Sequence, residues 1–447
     1  MAASTPKQLL KVVRHLPRKS APAAAQPVKD SLHVSNHPSP RPCGASKSTS
    51  RGLPAGTAIE YGNETIIRLG RRNFLRTSIL RNEVPPTATR ELVSKTVRSR
   101  YSPNLIAHLA SGMEGRNRRL RPVDYHVAWI CPLPDIELLP SRLMLDEEHL
   151  PPSINTSYDD NTYVFGMVAG HAIVVATCPT GLTGNVNAGR LTGSMFKTFP
   201  NIKMTLLVGI GGGVPRPTGS EDPLDDIHLG DVVVGWPGDG KPACVYYDLG
   251  RWKVDGKYEM LGTMDKPDWR LTNALGILAS DHQLGRTKFS DQLARLRDYK
   301  EFAHPGLEHD KFFKAAYHHV GEYGSNCVAC NGNELVQRPP RTEDDKNKFI
   351  FHQGRIASGN SVIRDGEWRD KISRQCDGVL CVEMEAAGVD VNGKCLVIRG
   401  ISDYADSHKN DLWKFHAAGK AAAFARELLS MIQPDAVKDM EEMIEGQ

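Results

Sequence analysis

Apolar residues gather in short runs from Tyr125 onward, and the runs alternate between strand and helix spacing. YHVAWIC (125–131) is a continuous apolar run of buried-strand length, and a helix is expected after Pro140 over SRLMLDEEH. TYVFGMV and HAIVVATC, parted by Ala169-Gly170, predict a hairpin. A helix from about Asn187 to Phe199 leads into the strand KMTLLVGI, which ends at Gly211-Gly212-Gly213. An acidic loop from Glu221 to Asp226 precedes the strand GDVVVG, and helical spacing recurs near 268–283 and 310–320. The close alternates again: strand GVLCVEM, a helix from Glu385, strand KCLVIRGI, and a helix from Asp411 to Ile432. Strands that are apolar on both faces, interleaved with helices, predict an α/β sheet covered on both sides. In such sheets the ligand crevice lies beyond the carboxyl ends of the strands.

Before Tyr125 the pattern is different. Residues 20–58 are rich in Ala, Pro and Ser, a composition that cannot bury a core and reads as disordered. Between Glu64 and Ser111, short apolar groups among arginines (IIRLGRRNFLRTSIL, for example) are expected to give one or two short helices and no packed domain. Charge sharpens the division. Met1 to Val123 holds 22 Lys/Arg against 6 Asp/Glu, or +16, and the remainder 34 against 46, or −12. The expected organisation is a basic arm over residues 1–123, a catalytic domain over 124–433 and a short tail over 434–447. The arm could meet polyanions by counterion release, but it has few aromatics and no nucleic-acid module, which argues against specific nucleic-acid binding.

Nine cysteines without a disulfide rhythm, and no secretory or transmembrane-length apolar run, point to an intracellular, cytoplasmic setting. The acid-free stretch before Asp30, with its stripe Leu9, Leu10, Val12, Val13 and Leu16, also fits a mitochondrial transit peptide; a solvated basic tail is the plainer reading.

Three segments fall at strand ends: the glycine run after Ile210, the acids Glu383 and Glu385, and Ser402-Asp403. Glycines there let a ligand approach backbone amides, although a tight turn explains them equally well. Two carboxylates at the mouth of an apolar strand need a purpose or a partner, and an ion pair with Arg399 would suffice.

In this order the segments resemble the nucleoside phosphorylase superfamily, which includes purine nucleoside phosphorylases and methylthioadenosine/S-adenosylhomocysteine nucleosidases. VEMEAAG (382–388) followed by IRGISDYAD (398–406) looks like its C-terminal signature. VGIGGGVP (208–215), LGDVVVG (229–235), ASGNSVIRDG (357–366) and DYADSHKN (403–410) look like the fungal subgroup found at the N-terminus of NLR-like receptors. The resemblance implies a three-layer αβα fold with a central mixed, largely parallel sheet, and cleavage of a purine–ribose bond. It implies that Asp403 protonates the purine at N7, that Glu385 grips the ribose hydroxyls and that Met384 packs under the sugar, beside Glu383. Ser402 and Arg399 would orient Asp403 and the pocket wall. Gly211 and Gly212 would lie around the nucleophile, and Val362 and Ile363 beside the base. No cofactor or metal is implied, and a homo-oligomer is expected. Without the receptors' NTPase module or repeats, the chain is expected to act as a free-standing enzyme.

Departures from the family narrow the chemistry. Where phosphorolytic relatives place Arg and Ser around the first glycine, this chain has Leu207 and Ile210, which favours hydrolysis by water over phosphorolysis. The water-activating Glu of the nucleosidases aligns with Ile136 when counted from the strand and with Glu137 when counted from the helix. Glu137 is favoured, then Asp135. Val362 stands where many nucleosidases stack an aromatic ring on the base. The substrate is expected to be an adenosine-type nucleoside or nucleotide, ATP included. Two alternatives stand beside this: a phosphorylase whose phosphate site uses Arg190 or Arg216, and a weakly catalytic nucleoside-binding sensor. Cys327-Val-Ala-Cys330, with His318 and His319 nearby, has metal-knuckle spacing but no second CxxC, and reads as ordinary buried thiols. The fungal subgroup tends to carry such a pair, which implies a structural role. His408 and Lys409, next to Asp403, are candidates to meet a phosphate tail.

Overall fold

The computed structural model describes residues 118–264, 266–347, 349–389 and 395–434, together with the backbone of three strands between 58 and 78. The chain divides into two compact units, Met1–Pro85 and Pro86–Gln447. In the first, strands β1 (Ala58–Tyr61), β2 (Glu64–Arg68) and β3 (Phe74–Ser78) form an antiparallel sheet in that order. One or two short helices were expected between Glu64 and Ser111, the stretch in which β2 and β3 lie. The β-branched Thr65-Ile66-Ile67 favour a strand instead, a case of local propensity overriding an ambiguous apolar pattern. The transit-peptide stretch, the 20–57 region and the tail beyond 434 lie outside the described residues.

The second unit is built on a mixed sheet, and its centre is β8 (Met204–Gly213). On one side β8 pairs in parallel with β15 (Cys395–Asp403), which pairs antiparallel with β9 (Val232–Gly235); β9 in turn pairs in parallel with β12 (Phe351–Gly354). On its other side β8 changes partners along its length. Met204 to Leu207 pair in parallel with β4 (Val127–Ile130), whereas Gly212 and Gly213 pair antiparallel with β14 (Cys381–Glu383). From β4 the sheet continues through β7 (His171–Ala176), β6 (Tyr163–Val168) and the two-residue β5 (Glu147–Glu148). From β14 it continues through β13 (Ile356–Ser358), β10 (Cys244–Trp252) and β11 (Tyr258–Met264). The expected α/β class with a mixed sheet is what the chain adopts.

Alternation in the strands feeds two cores. Val127, Trp129, Leu206, Leu396 and Ile398 face the helix Lys414–Ser430, through Ala421, Phe424 and Leu428. Ala128, Ile130, Leu207 and Val397 face the helix Asn185–Thr198, through Leu191 and Met195. Each Val, Leu, Ile, Phe or Met side chain among them taken fully out of water contributes about 1.5–3 kcal/mol. Both faces being covered is why these strands read as unbroken apolar runs.

Several local expectations change. The Ala169-Gly170 hairpin forms, with both residues at positive φ (50° and 86°) as a tight two-residue turn requires. The glycine run is no turn: Gly211 to Gly213 continue β8. The helix over 141–149 shrinks to Leu139–Leu143, because Glu147-Glu148 pairs with β6. Residues 310–320 form no helix. Phe312 and Phe313 are buried instead, Phe312 against Tyr404 and Phe313 against His408, so tertiary contacts override the helical spacing.

Candidate active site

The carboxyl ends of β4, β8, β14 and β15 converge, and the partner switch along β8 makes room there. Between its pairing with β4, ending at Leu207, and with β14, beginning at Gly212, this edge of β8 has no strand beside it among the described residues. A side chain takes that place. After β4 the chain makes a single π-helical turn, Pro134–Leu138, a feature that recurs at functional sites. Ser141 fixes the turn, donating to the Glu137 carbonyl (2.7 Å) and accepting from the Trp129 indole (3.0 Å). The Glu137 carboxylate therefore points inward: Oε1 accepts the Ile210 N–H (2.8 Å) and Oε2 the Leu133 N–H (2.7 Å). Gly209 leaves the space for it, since a Cβ there would lie 2.3 Å from Glu137 Oε1. Asp135, the other candidate on this turn, is exposed.

Arg399, on β15, joins three carboxylates. Its Nη2 donates to Glu383 and to Glu385 (3.2 Å), while Nη1 donates to the Ile210 carbonyl (3.2 Å) and stands 4.0 Å from Glu137 Oε1. All four side chains are buried. One guanidinium cannot offset three desolvated anions, so burial pushes Glu137 up to about 7 and raises Glu385. Glu385 Oε1 also accepts the Gly184 N–H (3.1 Å). Glu383 accepts the N–H groups of Glu385 (3.0 Å) and Ala386, so its carboxylate serves the start of the following short helix as well as Arg399. Arg399 does not reach Asp403 as expected. The two lie four residues apart on β15, and Arg399 is drawn under the strand ends by the acid cluster.

Asp403 has its own partners. Oδ2 accepts from Ser402 Oγ (2.7 Å) and Lys409 Nζ (2.5 Å), and Oδ1 from the Ala405 N–H (3.0 Å). Gly212 backs this corner, where a Cβ would sit 3.1 Å from Asp403 Oδ1.

Acid cluster and Asp403 corner open onto one cleft of about 740 Å³. Its walls include Gly211, Gly212, Val362, Ile363, Glu383, Met384, Glu385, Ser402 and Asp403, which are the expected site residues with two exceptions. Arg399 and Glu137 lie behind the wall, Glu137 directly under the lining residues Leu133 and Ile210. Val362 is exposed and Ile363 buried. Leu207 is in the core, while Ile210 lines the cleft. Arg190 and Arg216 are surface residues paired with Asp160 and Asp225 and do not line it. Lys409 does, but His408 is buried against Phe313 and faces away. Sequence reasoning missed Gly209, whose signal was a small residue two positions before the glycine run, and Gly184, whose contact with Glu385 no spacing reveals.

No protein-family model matches the chain. A nucleotide-binding leucine-rich repeat (NLR)-like protein of Hyaloscypha variabilis is 37% identical over 325 residues, 72% of this chain and 31% of that protein. The chain thus spans about a third of that relative's length. Among solved structures, futalosine hydrolase of Helicobacter pylori aligns with TM-score 0.43 and 16% identity over 69% of this chain and 99% of its own. A Neisseria meningitidis 5′-methylthioadenosine/S-adenosylhomocysteine nucleosidase, solved with methylthio-immucillin-A, gives 0.42 and 18% over 69% and 99%. The likeness to the receptor-linked subgroup is thus met in sequence by an NLR-like protein.

Proposed function

We propose that residues 124–433 form a nucleosidase of the nucleoside phosphorylase superfamily, which hydrolyses the bond between a purine and its ribose. The observation that carries this is two acid centres on one cleft: Glu385 held at Arg399, with Glu137 behind the wall, and Asp403 with Ser402. Glycosidic cleavage needs groups of both kinds. Water attacks C1′ as the C1′–N9 bond breaks; one carboxylate takes a water proton while an acid delivers a proton to the purine, so the base leaves neutral. Glu137, held near neutrality by burial, is the base. Asp403 is the acid toward N7, Glu385 holds the ribose hydroxyls and Met384 lies beneath the sugar. Ile363 and Val362 flank the base. Arg399 is a positioning residue that holds the two glutamates, and Ser402 orients Asp403.

Hydrolysis is favoured over phosphorolysis because the cleft's own cations are Lys409 and Lys414, both with acid partners, Asp403 and Asp411. With Leu207 in the core and Ile210 on the wall, no side chain among the described residues cradles inorganic phosphate at the glycines. Nucleotides such as ATP belong in the panel beside the nucleosides. Base release from purine nucleosides and nucleotides, assayed with and without phosphate, tests the proposal. Release of purine without phosphate is expected; no release from any member of the panel would refute it.

A further inference from the structure

On the far side of Asp403 from the acid cluster, the segment 311–336 packs against 404–408. Their junction holds two thiols and two imidazoles. His319 Nδ1 lies 3.4 Å from Cys330 Sγ and 3.8 Å from Cys327 Sγ. The ligand atoms of His319, Cys330 and His408 all fall within 4.8 Å of one another. For tetrahedral zinc with Zn–S of about 2.3 Å and Zn–N of about 2.0–2.1 Å, sulfur and nitrogen ligands should stand roughly 3.5 Å apart. The two sulfur–histidine distances bracket that value.

Hydrogen bonds around the four residues prepare them for a metal. His319 Nε2 is 3.1 Å from Ser325 Oγ; a proton donated there leaves the Nδ1 lone pair facing the sulfurs. The Val320 N–H points at Cys330 Sγ (3.5 Å), as suits a thiolate. His408 carries the second, independent signal. Its ring is buried and stacked on Phe313 at 4.0 Å between centroids, yet neither nitrogen has a hydrogen-bond partner among the described residues. Buried imidazole nitrogens are normally satisfied. Its Nδ1 lies 3.6 Å from the Asp406 carboxylate, the outer partner that metal-bound histidines commonly have, and this leaves Nε2 for the ion. A cavity of about 640 Å³ lined by Cys327 and His408 gives access.

We propose that His319, Cys327, Cys330 and His408 bind one zinc ion in a closed, structural Cys2His2 site. Two thiolates balance the ion's charge, and the sulfur–nitrogen set selects zinc among the common divalent cations. His408 is separated from the CxxC pair by more than seventy residues, so metal knits the two segments together, in parallel with the His319 N–H bond to Ser407 Oγ (2.9 Å). The consequence reaches the cleft. Lys409, next in sequence to His408, is the partner of Asp403. The metal thereby fixes the loop that presents Lys409 to the proposed acid.

Metal content decides this without reference to catalysis. The full chain, purified under reducing conditions without chelator, is expected to carry about one zinc per chain by atomic emission. Zinc removal should lower the melting temperature, and added zinc should restore it. Cys330→Ser and His408→Asn should each lose the metal. Should those variants fail to fold, cobalt reconstitution of the unaltered chain serves instead, with thiolate-to-cobalt charge-transfer bands expected. Three results would overturn the site: reduced protein that takes up neither zinc nor cobalt, a Cys327–Cys330 disulfide in protein as isolated, or full metal content after both cysteines are replaced by serine.

Discussion

Glu137 Oε1 and Arg399 Nη1 stand 4.0 Å apart, close enough to feel each other's charge and too far to share a hydrogen bond. Arg399 spends its stronger contacts on Glu383 and Glu385, so burial dominates at Glu137 and holds its carboxyl near 7, above the ordinary 4.5. A carboxyl raised in the folded state keeps its proton longer than in the unfolded chain. Its contribution to stability is therefore lost as pH rises from about 4.5 through 7. A general base needs the ionised form, so activity should rise across the same window. Stability and turnover are expected to move in opposite directions with pH. Glu137→Gln should abolish turnover and flatten the stability slope, read by thermal melts and rate profiles between pH 4.5 and 8; an unchanged activity profile in the variant rules Glu137 out as the base.

Asp403→Asn should lower base release about 100- to 10,000-fold, the usual contribution of a general acid, with little change in melting temperature. The amide keeps the size and one acceptor, and the Lys409 head it leaves is still partly in water. If the Asp403–Lys409 pair were only structural, the variant would retain most of its turnover, and paired melting and rate measurements separate the two cases.

The sugar product should carry a free hydroxyl at C1. Chromatography of the sugar, with phosphate present and absent, checks this. Strict phosphate dependence with ribose 1-phosphate as product would mean that Ile210 and the glycine amides suffice as a phosphate cradle.

Gly209→Ala tests the seat of Glu137. The added methyl would fall 2.3 Å from Glu137 Oε1 and 2.6 Å from Arg399 Nη1, both fixed by buried contacts. Overpacking of this kind costs about 1–3 kcal/mol, and turnover should fall with the displaced carboxylate. A variant with native melting temperature and full activity would show that the carboxylate has room to move.

Removal of residues 1–110 should leave residues 124–433 folded and active, given the charge division before Tyr125 and the separate compact unit ending at Pro85. Cooperative thermal unfolding and base release report on it. An insoluble or inactive product would mean that the arm is part of the catalytic body.

Much of this protein was legible in its residue order because the relevant forces are local. Runs such as Val127 to Ile130 and Cys395 to Ile401 announce strands buried on both faces, and Ala169-Gly170 announces its turn, since side-chain period and backbone φ are properties of neighbours. The signature around Glu385 and Asp403 lay on strand ends for the same reason. Which acid on the Pro134–Leu138 turn faces inward was not fixed locally: Asp135 and Glu137 are two residues apart, and only the vacant edge of β8 selects Glu137. Arg399 could have served any nearby carboxylate, and burial gave it to Glu383 and Glu385 rather than Asp403. The meeting of His408 with His319 and Cys330, and the unwinding of 310–320 to bury Phe312 and Phe313, likewise depend on packing between distant segments. Desolvation and close packing act through space, and spacing along the chain does not record them.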